Sequence, residues 1–115
     1  MLFRSVLASA DRVLLVVAAD PVGVARGVAA GRLLASELPG AAAQMEVTIN
    51  GATDRRAAVD AVSTLERHLG RPVVTSLPFE ARCDAAQWEG CTVPELTRRS
   101  AYWNAVGAMA KAVAA

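Results

Sequence analysis

The chain has 115 residues with 12 basic and 11 acidic side chains, a formal net charge of +1 at pH 7 and a length suited to one small domain. Because the opposite charges are interspersed, the composition excludes the basic surface typical of a nucleic-acid-binding protein. The two cysteines, Cys83 and Cys91, lack a histidine at ligand spacing, and no uncharged apolar run reaches about 18 residues, so we expect no zinc site, no transmembrane segment and a cytoplasmic location.

The first residues, Leu2-Phe3-Arg4-Ser5, resemble the translated end of a common sequencing adapter. We therefore expect residues 1–5 to be a non-native start, and residues 6–115 to be genuine sequence whose N-terminal part is missing. The alternative is that Leu2 to Ser5 simply begin a helix. In either case Val6 to Ala10 are predicted to close a helix.

The clearest local pattern is a strand that leads directly into a helix. Arg12 to Ala18 are almost entirely apolar and rich in β-branched residues, which predicts a strand buried on both faces of a parallel sheet. Asp20-Pro21 then predicts a helix start, because the carboxylate can cap free N–H groups and proline has no N–H to satisfy.

This helix is predicted to span Val22 to Leu38 and to end at Pro39-Gly40. Gly23, Gly27 and Gly31 recur within it at a spacing of four. Glycines are unfavourable inside a helix, so they predict that its backbone lies very close to a neighbour. We expect that neighbour to be the sheet rather than a second helix, since small-residue dimerisation is typical of membranes.

A second strand is predicted at Gln44 to Asn50, with Gly51 as a turn. Asp54 can cap a helix from Arg55 to Leu69, and Gly70 is its expected C-cap.

The third predicted strand spans Val73 to Leu77 and stops at Pro78. The rest of the chain is predicted to form a helix near Cys83 to Trp88 and another from about Arg99 to Val113. Alternation of strands with helices predicts an α/β fold with a mostly parallel sheet of three strands flanked by helices.

Residues that follow parallel strands collect at one edge of the sheet, so Asp20, Asn50 and Leu77-Pro78-Phe79 are expected to be neighbours. The amide of Asn50 has donors and an acceptor suited to the edge of a heterocycle, and Pro78-Phe79 offers a flat apolar wall. The alternative is structural, because asparagine before glycine is a common turn dipeptide.

For the remaining candidate residues, the sequence favours structural roles. At a spacing of eight, the two cysteines are expected to be idle or buried thiols rather than a redox pair. His68 is expected to be a surface residue that compensates a helix dipole. Trp88, Tyr102 and Trp103 are expected to cover the sheet or a base pocket.

Several segments together carry a family resemblance, through their order and spacing. They are Ala10 to Val17, Asp20 to Arg26, Val47 to Asn50, Leu69 to Val73, Leu77 to Glu80, Asp84 to Ala86, Gly90, Leu96, Arg99-Ser100 and Ala105-Val106. From Ala8 onward the chain resembles the C-terminal half of the MinD/ParA class of P-loop ATPases, most closely the CpaE/TadZ-like branch. The resemblance implies a three-layer, P-loop NTPase-like partial fold, with residues 6–115 as the C-terminal half of a nucleotide-binding domain.

The resemblance also implies a site. In that family the corresponding asparagine contacts adenine and the loop after the next strand packs around the base, so Asn50, Pro78, Phe79 and Glu80 are the implied base-binding residues. The intact protein would use ATP with magnesium, form a homodimer and serve pilus assembly, secretion or spatial positioning at the inner face of the membrane. Because the P-loop strand would lie beside Arg12 to Ala18, we expect that strand to form an exposed sheet edge.

The chain also departs from the family. Gly51 stands where the family usually has an arginine or lysine, and no glycine-rich loop ends in Lys-Ser or Lys-Thr. Asp20 comes one strand too late to hold magnesium. We therefore expect no catalytic or metal-binding residue, no tight ATP binding and no hydrolysis by this chain alone. The alternatives are a stand-alone, non-catalytic α/β interaction module, or half of an enzyme like dethiobiotin synthetase or cobyrinic acid amidase.

Overall fold

The computed structural model of the chain describes residues 2–90 and 100–114. Its helices and strands, in chain order, are α1 (Leu2–Ser9), β1 (Val13–Ala18), α2 (Pro21–Glu37), α3 (Pro39–Ala42), β2 (Met45–Ala52), α4 (Arg55–Leu69), β3 (Val73–Pro78), α5 (Arg82–Glu89) and α6 (Ala101–Ala114). Cys91 and two residues of the family resemblance, Leu96 and Arg99, lie outside these ranges. Within them, no helix combines the length and the apolar character needed to cross a membrane.

The three strands form one parallel sheet in the order β1-β2-β3. Val13 is in register with Met45 at the start of the strands, and Val47 is in register with Val73. Parallel neighbours need a crossover, which α2 and α3 supply between β1 and β2, and α4 supplies between β2 and β3. The predicted α/β fold with a parallel three-stranded sheet flanked by helices is confirmed.

The main hydrophobic core lies between the sheet and helices α2 and α4. Val17 of β1 packs there with Val47 and Ile49 of β2 and with Leu65 of α4. The last three have no exposed surface. Full burial of side chains of this size contributes roughly 1.5–3 kcal/mol each, so these contacts join the sheet to the two helices.

The opposite face of the sheet is covered at β2 and β3. Side chains alternate along a strand, so Thr48 and Leu77 lie on the face away from Ile49, and both are buried. Helix α6 packs against β3. The Thr48 hydroxyl donates to the Thr75 carbonyl oxygen at 2.7 Å, which satisfies a polar group that has no contact with water.

Strand β1 is an edge strand that is buried on one face only. Among the described residues it pairs with β2 alone, which confirms the expected exposed edge. Val17 is 2% exposed beneath α2, but Val16 on the other face is 53% exposed. The predicted burial of this strand on both faces is therefore wrong. An apolar strand can be buried on both faces only if helices cover both of them. The face that carries Val16 is incompletely covered, so this side chain remains exposed.

The helix termini follow local capping signals. Asp20 caps α2 by accepting a hydrogen bond from the Gly23 N–H at 2.7 Å. Asp54 caps α4 in the same way, through the Ala57 N–H at 2.7 Å. Gly70 ends α4 in the left-handed conformation with φ of 65°. The predicted bounds of α4 and all three caps are confirmed.

Most predicted bounds are shifted by only one or two residues, but two features differ in kind from the sequence-based expectation. Pro39 ends α2 but also begins the short helix α3, because proline fits the first position of a helix as well as it terminates one. The predicted turn at Gly51 is wrong, since β2 continues to Ala52. Gly51 adopts φ of 85° within the strand, next to a shift in the β2–β3 register, and thus forms an irregularity that only glycine accommodates easily.

The glycine stripe of α2 sets how closely this helix approaches its neighbours. At Gly23, Gly27 and Gly31, an added Cβ would meet, in that order, the Ala18 carbonyl oxygen at 2.4 Å, Val17 Cγ2 at 2.7 Å and Leu69 Cδ2 at 2.7 Å. These distances are shorter than any normal carbon contact. The predicted close packing of the helix backbone is confirmed, against the sheet at the first two positions and against α4 at the third.

Replacing Gly23 with alanine is expected to destabilise the fold, because the new methyl group overlaps the backbone of Ala18. We expect the free energy of unfolding, measured by urea denaturation, to fall by about 1–3 kcal/mol. The matched control is Gly107→Ala in α6, where an added Cβ meets none of the described residues within 4 Å; this variant should gain up to about 1 kcal/mol. Equal effects at the two positions would contradict the close approach of α2 to β1.

The exposed edge of β1 predicts self-association, because unpaired strand groups and the apolar Val16 side chain can pair with another molecule. Val16→Lys should reduce association in sedimentation velocity, with a change of less than about 1 kcal/mol in the free energy of unfolding. Val59→Lys on α4, where the valine is 56% exposed, is the matched control. A similar reduction in both variants would assign the effect to net charge instead of the edge.

Candidate functional site

The carboxyl ends of the three strands meet at one edge of the sheet. Ala18, Asn50 and Leu77 are in register across β1, β2 and β3, and Ala52 is in register with Pro78. The Ala19 N–H donates to the Asn50 carbonyl oxygen at 3.0 Å, which joins the turn after β1 to β2. The expected neighbourhood of the segments after β1, β2 and β3 is confirmed.

Asn50 lies inside β2 rather than at its end, because the strand continues through Gly51 to Ala52. Its side chain is exposed, and its amide makes no hydrogen bond to any of the described residues. The carboxamide therefore keeps two N–H donors and one oxygen acceptor for a ligand. The Gly51 irregularity next to it changes the register with β3 and leaves a local break in the pairing.

Pro78 and Phe79 form the β3 side of this edge. The Phe79 N–H donates to the Ala52 carbonyl oxygen at 2.9 Å, so the chain stays attached to β2 for one residue beyond β3. The Phe79 side chain is 59% exposed, an unusual position for a large apolar group, while Pro78 is partly buried. An exposed aromatic side chain suits a flat, partly polar ligand such as a heterocycle when the same edge carries a carboxamide with no partner among the described residues.

The carboxylate of Glu80 is engaged by Arg82. Arg82 Nε donates to Glu80 Oε1 at 2.6 Å and Nη2 donates to Oε2 at 3.2 Å. The Arg82 backbone N–H also donates to Oε1 at 3.2 Å. The side-chain hydrogen bonds from Arg82 hold the pKa of Glu80 below its ordinary value. Arg82 was not predicted as a site residue, because a pair two residues apart meets only in a particular turn.

The aromatic and thiol predictions have mixed outcomes. Trp88 was expected to cover the sheet or a base pocket, but it is 90% exposed on α5, whose buried residue is Ala86, so this prediction is wrong. Tyr102 and Trp103 lie half-buried on α6, which packs against β3. Burial raises the pKa of the Cys83 thiol, which favours the inert protonated form.

Among the described residues, two open cavities lie beside helices α2 and α4, and neither is lined by Asn50 or Phe79. One, of about 680 Å³, lies between α2 and α4 and is bordered by Asp20. The other, of about 620 Å³, lies near the amino ends of the strands, between the end of α2, α3 and the turn after α4. Both include Arg32 and His68, which sequence patterns did not single out as a pair.

The Glu80–Arg82 pair predicts a shift in titration. Arg82→Gln should raise the pKa of Glu80 toward its ordinary value, because the donors that stabilise the carboxylate are removed. Since the pKa is lowered in the folded protein, the pair stabilises the fold at neutral pH and loses this effect as pH falls through the lowered pKa. NMR titration of the Glu80 carboxyl carbon measures the shift.

Arg67→Gln removes an exposed arginine in the last turn of α4, at the opposite end of the strands from Glu80, and should leave the titration unchanged. An equal response to both substitutions would mean that overall charge, and not the hydrogen bonds from Arg82, sets the pKa of Glu80. We expect little change in stability in either variant, because exposed ion pairs contribute little.

The sequence was compared with protein-family models and with curated proteins. No family model and no curated protein matches it.

Proposed function

We propose that the chain is the adenine-side portion of a MinD/ParA-like, P-loop NTPase-type nucleotide-binding domain of the CpaE/TadZ-like branch. In this proposal residues 6–115 provide the base-binding edge, and the intact protein binds ATP with magnesium as a homodimer. Its role is in pilus assembly, secretion or spatial positioning at the inner face of the membrane. The chain alone supplies no phosphate-binding loop, so it contributes recognition of the base and not phosphoryl transfer.

The observation that carries the proposal is the register of the three strands. Ligands of open parallel α/β sheets bind beyond the carboxyl ends of the strands. Asn50 is flanked in register by Ala18 on one side and Leu77 on the other, so its backbone lies in the middle of this edge. The family resemblance implies that the base-binding asparagine is the same residue.

The chemistry of the neighbouring groups supports a base as the ligand. The Asn50 carboxamide is exposed and, among the described residues, has no hydrogen-bond partner. Adenine presents a donor next to an acceptor on its edge, which a carboxamide can match with two hydrogen bonds. The exposed Phe79 ring is available for stacking, with the Glu80–Arg82 pair following it.

The test is an NMR titration of the amide signals with adenosine and with ATP. We expect adenosine to bind with millimolar affinity and to shift the signals of Asn50, Ala52, Phe79 and Glu80. ATP should bind no more tightly than adenosine, because the sequence of this chain contains no phosphate-binding loop.

Asn50→Ala should weaken adenosine binding several-fold by removing the hydrogen bonds to the base. Asn104→Ala, at the other asparagine and on the exposed face of α6, is the matched control and should have no effect. Equal binding of guanosine, shifts confined to other regions, or micromolar affinity for ATP would each refute the proposal. A stand-alone interaction module would show no response to either nucleoside.

A further inference from the structure

The cavity near the amino ends of the strands has an unusual charge distribution. Its volume is about 620 Å³, and its lining includes Arg32 from α2, His68 from α4 and Arg71 from the turn after α4. No aspartate or glutamate of the described residues lines it. Within residues 2–90 and 100–114, neither guanidinium group forms an ion pair, although both are charged at every physiological pH.

All three side chains make hydrogen bonds that leave further donors available. Arg32 Nη2 lies 3.0 Å from His68 Nδ1. Because a guanidinium can only donate, Nδ1 is the acceptor, which places the proton of the neutral imidazole on Nε2. Arg71 Nη1 donates to the Met45 carbonyl oxygen at 2.9 Å, and its remaining N–H groups have no partner among the described residues.

Helix ends and nearby carboxylates oppose this positive field. The carboxyl ends of α2 and α4 each carry about half a negative charge, an effect that falls off within one turn. The carboxylates of Glu46 and Glu37 are engaged by Arg12 and Arg4 in ion pairs, and Glu66 does not line the cavity. Among the described residues two guanidinium groups border the cavity and no carboxylate does, so an anion inside it meets positive charge directly.

We propose that this cavity binds the oxyanion group, phosphoryl or carboxyl, of a small organic molecule. Planar guanidinium groups bind both oxyanions through paired hydrogen bonds, and a neutral imidazole Nε2–H adds a third type of donor. The cavity has room for more than the anion alone, and Met45, Leu69 and Pro72 supply apolar surface for the rest of the ligand. The site lies at the opposite end of the strands from Asn50, so it is independent of the proposed nucleotide site.

The experiment titrates the protein with inorganic phosphate and, separately, with succinate at low ionic strength, with sodium chloride as the control for ionic strength. Amide signals of Gly31, Gly70 and Arg71 should shift and saturate below about 10 mM with one of the two oxyanions. Tighter binding of phosphate would identify a phosphoryl ligand, and tighter binding of succinate a carboxylate ligand.

Arg32→Gln should weaken the preferred anion about tenfold or more, because it removes a charged donor. Arg26→Gln is the matched control, since it removes an exposed arginine of the same helix that does not line the cavity, and it should change the affinity less than about twofold. Equal weakening in both variants, shifts spread over the whole surface, or no saturable binding of either anion would overturn the proposal.

Discussion

The contact between the backbone of α2 and strand β1 is the constraint on which the rest of the structure depends. At Gly23 and Gly27 the helix lies so close to Ala18 and Val17 that a single methyl group has no room. This approach buries Val17, brings α2 beside α4 and completes the core around Ile49. Because the same turn carries the Asp20 cap, the position of α2 also fixes where the chain leaves the carboxyl edge of the sheet.

The two ends of the parallel strands differ in chemical character. At the carboxyl edge, Asn50 presents a carboxamide without a partner among the described residues, and Phe79 presents an exposed ring; together they suit a flat heterocycle. At the amino edge, Arg32, His68 and Arg71 border a cavity to which the described part of the chain contributes no carboxylate, which suits an anion. The sheet separates these groups by the length of its strands, so a ligand at one end leaves the other accessible.

The open edge of β1 links stability with the proposed function. Its unpaired backbone groups and the half-exposed Val16 make it a surface on which another strand can pair. Under the proposed function, a P-loop strand would occupy this place. A strand added there would cover the edge and would bring its own carboxyl end next to the turn at Asp20, on the same rim as Asn50.

Local signals in the sequence determined the elements and their ends: Asp20 and Asp54 cap helices through their own side chains, and Gly70 takes a conformation that other residues avoid. The alternation of strands with helices predicted a parallel sheet, which places Asn50 and Pro78 at its carboxyl edge. Only the tertiary structure decided which faces are covered, and so Val16 and Trp88 are exposed although both are apolar. The Arg32–His68 contact also depends on the tertiary structure. These residues are 36 positions apart and meet only because α2 packs against α4, which sequence spacing does not predict.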